Sequence, residues 1–332
     1  MTDTSPFPRA LAALTGLAMG DALGMPAQTL PRETIRARYG RIEDFVAPFD
    51  GHPVSHGLGP AQVTDDTEQA LLLARRLIAE PGGFDDRGWA QDLLDWEADI
   101  RAKGLSDLLG PSSRRAIDAL LAGAAPEETG RTGTTNGAAM RIAPVGIMTP
   151  PVPAEICAAT ARTCRVTHNT GEAIAAAAAV AMTVSCGIAG MDFEMAIGRA
   201  LEAARLGQSM GGATGEPDMA GRIEAALKVA ETGDIEALIA ATGTSVASRE
   251  SVACAFGLLR LAGDDLWQAL VAAANIGDDT DTIGAITGAM GGATGGRLPG
   301  AATDRIRAAN DLPLEDIAEG LLALRAQAEV QA

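Results

Sequence analysis

Two short segments gather the residues that could do chemistry. Thr64-Asp65-Asp66-Thr67 and Asp278-Asp279-Thr280-Asp281-Thr282 each crowd carboxylates and hydroxyls directly ahead of a run of helical composition. One such oxygen would serve as an N-cap, satisfying backbone N–H groups that the first helical turn leaves open and complementing the helix dipole. A cap needs a single oxygen, however. These segments supply several, with no Lys or Arg in either to neutralise them. Carboxylates held that close repel unless a cation sits among them. Hard divalent ions take oxygen ligands from carboxylates, hydroxyls and water. The expectation is a shared divalent-cation site with Asp65, Asp66, Asp279 and Asp281 as its acids.

Positioning those acids falls to helices. Residues 66–78 (DTEQALLLARRLI) combine good helix formers with an acidic start. Residues 170–190 and 248–262 are helical by composition, and Leu314, Ile317, Leu321, Leu324 and Ala328 form one stripe at helical spacing. Alternating β-branched runs bounded by hairpin turns are nearly absent, so the predicted class is all-α. Pro and Gly mark residues 48–60, 123–137 and 207–217 as loops. None reads as a long linker and no solenoid period recurs, so residues 1–332 are expected to form a single domain.

Composition narrows the function. The chain has 332 residues, 47% of them hydrophobic but only 3% aromatic, with 39 glycines, which suits helices packed closely through small side chains. A formal charge of −17 argues against a nucleic-acid backbone as partner. Cys157, Cys164, Cys186 and Cys254 form no CxxC pair and read as buried thiols of a reducing compartment. No basic region precedes the first apolar stretch, so no secretory leader is read and a cytoplasmic protein is expected. Ala173 to Met191 carries no charge and is long enough to span a bilayer. Its alanines contribute little to insertion, and it reads as a buried central helix rather than a membrane span. Glycines in GDALG and GAMGGATGG follow no predicted strand, so close helix packing explains them better than dinucleotide binding.

GLAMGDALGMP (16–26), VTDDTEQALLLA (63–74), NGAAMRIAPVG (136–146), THNTGEA (167–173) and GDDTDTIGAITGAMGGATGG (277–296) together resemble the ADP-ribosylglycohydrolase family. Their order and spacing match across nearly the whole chain. The resemblance implies a compact, orthogonal all-α bundle with a dinuclear Mg²⁺ centre, sometimes Mn²⁺, in a cleft. It implies metal ligation by Thr64, Asp65 and Asp66 from one side and by Asp279, Asp281 and Thr282 from the other. The reaction implied is hydrolysis of a glycosidic bond to ribose: the metals hold the ribose hydroxyls and orient a water, and Asp65, Asp66 or Asp279 helps deprotonate it. Thr135, Asn136 and Gly137 would line the ligand site, although Asn136 could equally cap a helix. Arg141 would pair with phosphate or with a buried carboxylate. His168, alone a packing histidine, is placed near the substrate by the resemblance. His52 and His56 receive no metal role.

Two positions depart from the family pattern. Gln28 stands where many members active on ADP-ribosyl groups carry a glutamate, and Asp278 stands where glycine is common. Asp107, in LSDLLGPSS, aligns only roughly with a family segment and is a candidate pocket acid. The metal core is thus kept while its edge changes. The leading expectation is a Mg²⁺-dependent ADP-ribosyl hydrolase acting on an ADP-ribosylated protein or small molecule. A nucleoside-type ribohydrolase with the same site is the first alternative, and a catalytically silent ribosyl-binding protein the second. Oligomeric state is not read from the sequence.

Overall fold

A computed structural model describes residues 5–105, 109–215 and 218–331. Asp107, the candidate pocket acid, lies outside them. Helices make up the fold from Phe7–Gly24 to Leu314–Gln331, and no strand occurs among the described residues, only three isolated bridges. The predicted all-α class holds. The four helical readings correspond to Asp65–Ala79, Gly171–Ile188, Ser248–Ala262 and Leu314–Gln331. The 123–137 stretch differs from a plain loop, because Pro126–Thr129 forms one helical turn. Its proline at the first position and its two leading glutamates favour such a start.

The Phe7–Gly24 and Thr280–Ala293 helices pack antiparallel, and glycine makes that approach possible. Gly16 lies against Gly288, Gly20 against Gly284, and Gly24 against Thr280. A Cβ on Gly20 would stand 1.9 Å from the Gly284 carbonyl oxygen, so the two backbones touch where side chains would normally separate them. The glycines of GDALG and GAMGGATGG therefore serve helix packing, as their sequence context indicated. The antiparallel crossing carries a consequence for the site. It brings the C-terminal end of the first helix to the N-terminal end of Thr280–Ala293, where the Thr280 hydroxyl donates to the Gly24 carbonyl at 2.8 Å.

The Gly171–Ile188 helix runs through the middle with all 18 residues buried. Its alanine run lets the Ala143–Met148 and Phe193–Gln208 helices pack closely onto it. By length and composition this helix and the Phe7–Ala27 stretch could each cross a membrane, yet 100% and 89% of those windows are buried inside the protein. Such enclosure leaves almost no apolar surface to face lipid. All four cysteines are buried free thiols, and burial pushes each thiol pKa up.

Candidate active site

The two acidic segments, more than 200 residues apart in the chain, meet. The Asp65–Ala79 and Thr280–Ala293 helices point their N-termini at the same place, beside the end of the first helix. Neither helix is capped by its own leading residue: Thr64 and Asp279 make no side-chain cap bond. The simple capping explanation of these acids therefore does not describe them.

Asp21 caps the Asp65–Ala79 helix instead. This fully buried carboxylate on the first helix accepts from the Thr64 N–H at 3.0 Å, the Thr67 N–H at 3.1 Å and the Thr64 hydroxyl at 2.7 Å, and also from the Thr67 hydroxyl. Burial raises its pKa to about 6 against the lowering effect of those bonds. Sequence reasoning quoted its motif but gave Asp21 no role. The available signal was the single acid in a helix whose only other charge is Arg9, near its start, since a charge flanked by apolar residues is buried only with partners.

Asp66 is the centre of the cluster. It is fully buried, and the Thr64 and Thr282 hydroxyls approach its Oδ2 at 3.4 and 3.3 Å. Its Oδ1 is buried without a hydrogen-bond partner among the described residues. Burial first, then the nearby charges of Asp65, Asp281, Asp21 and Asp279, drive its pKa well above the usual carboxylate value. Asp279 is raised to about 6, chiefly by burial, while the Asn136 amide and the Thr282 hydroxyl favour its charged form.

Crowded acids, an orphaned carboxylate oxygen and an all-oxygen donor set fit the chemistry of a hard divalent cation. The coordination sphere is not preformed, however. Among the described residues no three His, Cys, Asp or Glu side chains stand where they could hold one metal ion together. The fit is of donor chemistry and charge, and side-chain rotation would have to complete the geometry.

Opposite the acids lies the 134–137 loop. It pairs with residues 246–248: Asn136 N–H donates to the Val246 carbonyl at 2.9 Å, and Ser248 N–H to the Thr134 carbonyl at 3.0 Å. Asn136 does not cap the Gly137–Met140 turn, as one reading had it. Its amide donates to Ser251 Oγ at 3.1 Å and to Asp279 Oδ2, tying the loop to the acid cluster. Gly137 is needed where it stands, because a Cβ there would meet the His168 ring at 2.9 Å. His168 is buried, with Nε2 against the Thr135 hydroxyl at 2.9 Å and Nδ1 against the Thr167 hydroxyl at 2.8 Å. Burial and the Arg141 charge keep it neutral, its pKa held well below 6.5.

Arg141 lies behind this loop, 1% exposed. It makes no ion pair with a carboxylate among the described residues. It donates to Gln69 Oε1 at 2.9 Å and Thr167 Oγ1 at 2.6 Å, and its guanidinium carbon lies 5.4 Å from the Trp89 ring centroid. Burial lowers its pKa to about 10, which leaves it charged at neutral pH.

Gln28 and Asp278, the two departures, are spatial neighbours. An antiparallel bridge joins Leu30 to Asp278, and the Thr29 N–H donates to the Asp278 carbonyl at 2.6 Å. The Gln28 amide donates to Ser55 Oγ at 2.9 Å. Asp278 adopts φ +58°, a left-handed conformation that glycine takes without strain and aspartate tolerates. Its carboxylate accepts from the Thr244 hydroxyl at 3.0 Å.

Fold and site define a helical protein with a cluster of acids at two converging helix N-termini. Residues 2–331 match the ADP-ribosylglycohydrolase family, and the chain belongs to it. It is 33% identical to the YegU protein of Escherichia coli (strain K12), covering 97% of this chain and 98% of that one. It is 26% identical to ADP-ribosylarginine hydrolase Tri1 of Pseudomonas putida (strain GB-1), over 88% of this chain and 72% of that protein. A solved structure described as an ADP-ribosylglycohydrolase-related protein complex superposes with a TM-score of 0.72 and 26% identity, covering 97% of this chain and 99% of that chain.

Proposed function

We propose that this protein is a Mg²⁺-dependent ADP-ribosyl hydrolase that releases ADP-ribose from an ADP-ribosylated protein or small molecule. The observation that carries the reading is the meeting of Asp66, Asp279 and Asp281 at two helix starts that those acids do not cap. Membership of the family and the likeness to an ADP-ribosylarginine hydrolase support the same bond class. Thr64, Asp65, Asp66, Asp279, Asp281 and Thr282 would hold two Mg²⁺ or Mn²⁺ ions, which supply positive charge for the ribose hydroxyls and lower the pKa of a water.

The chain's own residues do the rest. Asp65, Asp66 or Asp279 takes a proton from the attacking water as its oxygen bonds to the anomeric carbon. The bond from that carbon to the leaving group breaks, and the proton passes on to the departing atom. Oxocarbenium character builds at the ribose, and the cluster of acids stabilises it. Thr135, Asn136 and Gly137 orient the ligand, with Asn136 fixing the loop to Asp279.

One observation favours the nucleoside alternative. Gln28 is an amide where many members of the family carry a glutamate, and it is tied to Ser55, so this position offers no base. The test is turnover with Mg²⁺ and with EDTA on ADP-ribosylated arginine and serine peptides, O-acetyl-ADP-ribose and nucleosides. Metal-dependent release of ADP-ribose supports the proposal. Ribose release from a nucleoside alone replaces it, and absence of both turnover and Mn²⁺ binding sinks it.

A further inference from the structure

A buried hydrogen-bond chain leads from Arg141 in two directions. One arm runs to the acids: Arg141 donates to Gln69 Oε1, and the Gln69 amide donates to Asp65 Oδ2 at 3.1 Å. The other runs through Thr167 and His168 to Thr135. Guanidinium is a donor only, so it dictates which way every later bond points. Thr167 Oγ1 accepts from Arg141, and among the described residues its own proton has one place to go, His168 Nδ1. Left unpaired, that proton would be a buried donor with neither water nor protein to accept it, which is unfavourable. His168 then carries its proton on Nε2 and donates it to Thr135 Oγ1. The bonding thus assigns the Nε2–H tautomer. The Thr135 hydroxyl, with one lone pair occupied, keeps its proton for something else. Thr135 is half-buried and adjoins Asn136, which bonds Asp279, so that proton is available to a group bound beside the acids.

We propose that Arg141 is a positioning residue that sets the direction of this chain, so that the Thr135 hydroxyl keeps its proton to donate to an oxygen acceptor such as a ligand phosphate. The ligand part rests on the proposed function, whereas the direction of the chain does not. Lysine could not replace Arg141, because one compact ammonium cannot reach Gln69 and Thr167 in the same fork. Replacing the arginine therefore disturbs both arms, and replacing Thr167 disturbs only the arm to Thr135.

The test reads the ring ¹⁵N resonances of His168 in ligand-free wild type, Thr167→Val and Arg141→Lys, each checked for folding by circular dichroism. The expected wild-type signal is a protonated Nε2 and an unprotonated Nδ1, with both resonances shifting in Thr167→Val and Arg141→Lys. A wild-type ring protonated on Nδ1 overturns the proposal, as do ring signals identical in all three proteins. The second measurement is the ADP-ribose Kd of Thr135→Val and Thr135→Ser. Loss of about tenfold in the valine variant, with affinity kept in the serine variant, supports a donated hydrogen bond. Equal affinities in both refute it. A wild type that binds no ADP-ribose refutes the proposed function, while the His168 signals still decide the direction of the chain.

Discussion

Replacing Asp21 by Asn tests whether one carboxylate on the first helix organises the acid helix. Asp21 takes two backbone N–H and two hydroxyl donors, from Thr64 and Thr67. Asparagine can keep its oxygen at the Oδ2 position, where both N–H groups and the Thr67 hydroxyl converge, and its NH₂ then faces the Thr64 hydroxyl. That hydroxyl must give up its bond and rotate to accept, which costs about 1 kcal/mol. The remaining bonds also lose their charge assistance, about 1 kcal/mol. A neutral amide is easier to bury than a carboxylate whose pKa burial has raised to about 6, which offsets part of the loss. The net expectation is ~1–2 kcal/mol, a fall in Tm of roughly 1.5–3 °C for a chain of this size. Asp21 also holds Thr64 and the first turn carrying Asp65 and Asp66, so Mn²⁺ affinity should drop about 10–100-fold, as for other residues that orient metal ligands. Calorimetric melting and Mn²⁺ titration of wild type and Asp21→Asn measure both effects. A variant that melts with wild type and binds Mn²⁺ within about twofold of it would refute the reasoning.

Gly20→Ala places a methyl 1.9 Å from the Gly284 carbonyl oxygen and must push two helices apart. A destabilisation of at least ~3 kcal/mol is expected in denaturant unfolding, and a loss below ~1 kcal/mol would show that the crossing yields easily. Asp278→Gly relieves a left-handed aspartate but gives the unfolded chain more freedom, so stability should stay within ~1 kcal/mol. Its ADP-ribose affinity should rise, more at low salt than at high salt, because one negative charge leaves the edge of the acid cluster; unchanged affinity at low salt would remove Asp278 from the ligand's neighbourhood. Burial raises the pKa of Asp21 and Asp279 to about 6 from 3.8. Raised acids favour the metal-free fold fully below the unfolded value, and that contribution is lost as pH rises through about 6. A cation compensates the charge, so the Tm gap between Mg²⁺-loaded and EDTA-treated protein should widen from about pH 5 to 7. A gap independent of pH would contradict it.

Much of this protein could be read along the chain. Helical composition and the shortage of alternating β-branched runs set the all-α class. The acids of 64–67 and 278–282 announced two helix starts because carboxylates and hydroxyls favour that position in any fold. Glycines at 16, 20 and 24 and at 284, 288 and 292 recur every four residues, which places each set on one helix face; their contact follows from that spacing once the helices meet. What the chain could not disclose was which groups complete one another's hydrogen bonds. Asp21 caps a helix that begins 44 residues later, Asn136 reaches Asp279, and Arg141 bonds Gln69 and Thr167 with no carboxylate as a further partner among the described residues. Local sequence sets a side chain's valence and charge. Its partner is whichever donor or acceptor packing leaves unsatisfied beside it, and only the tertiary arrangement of helices decides that.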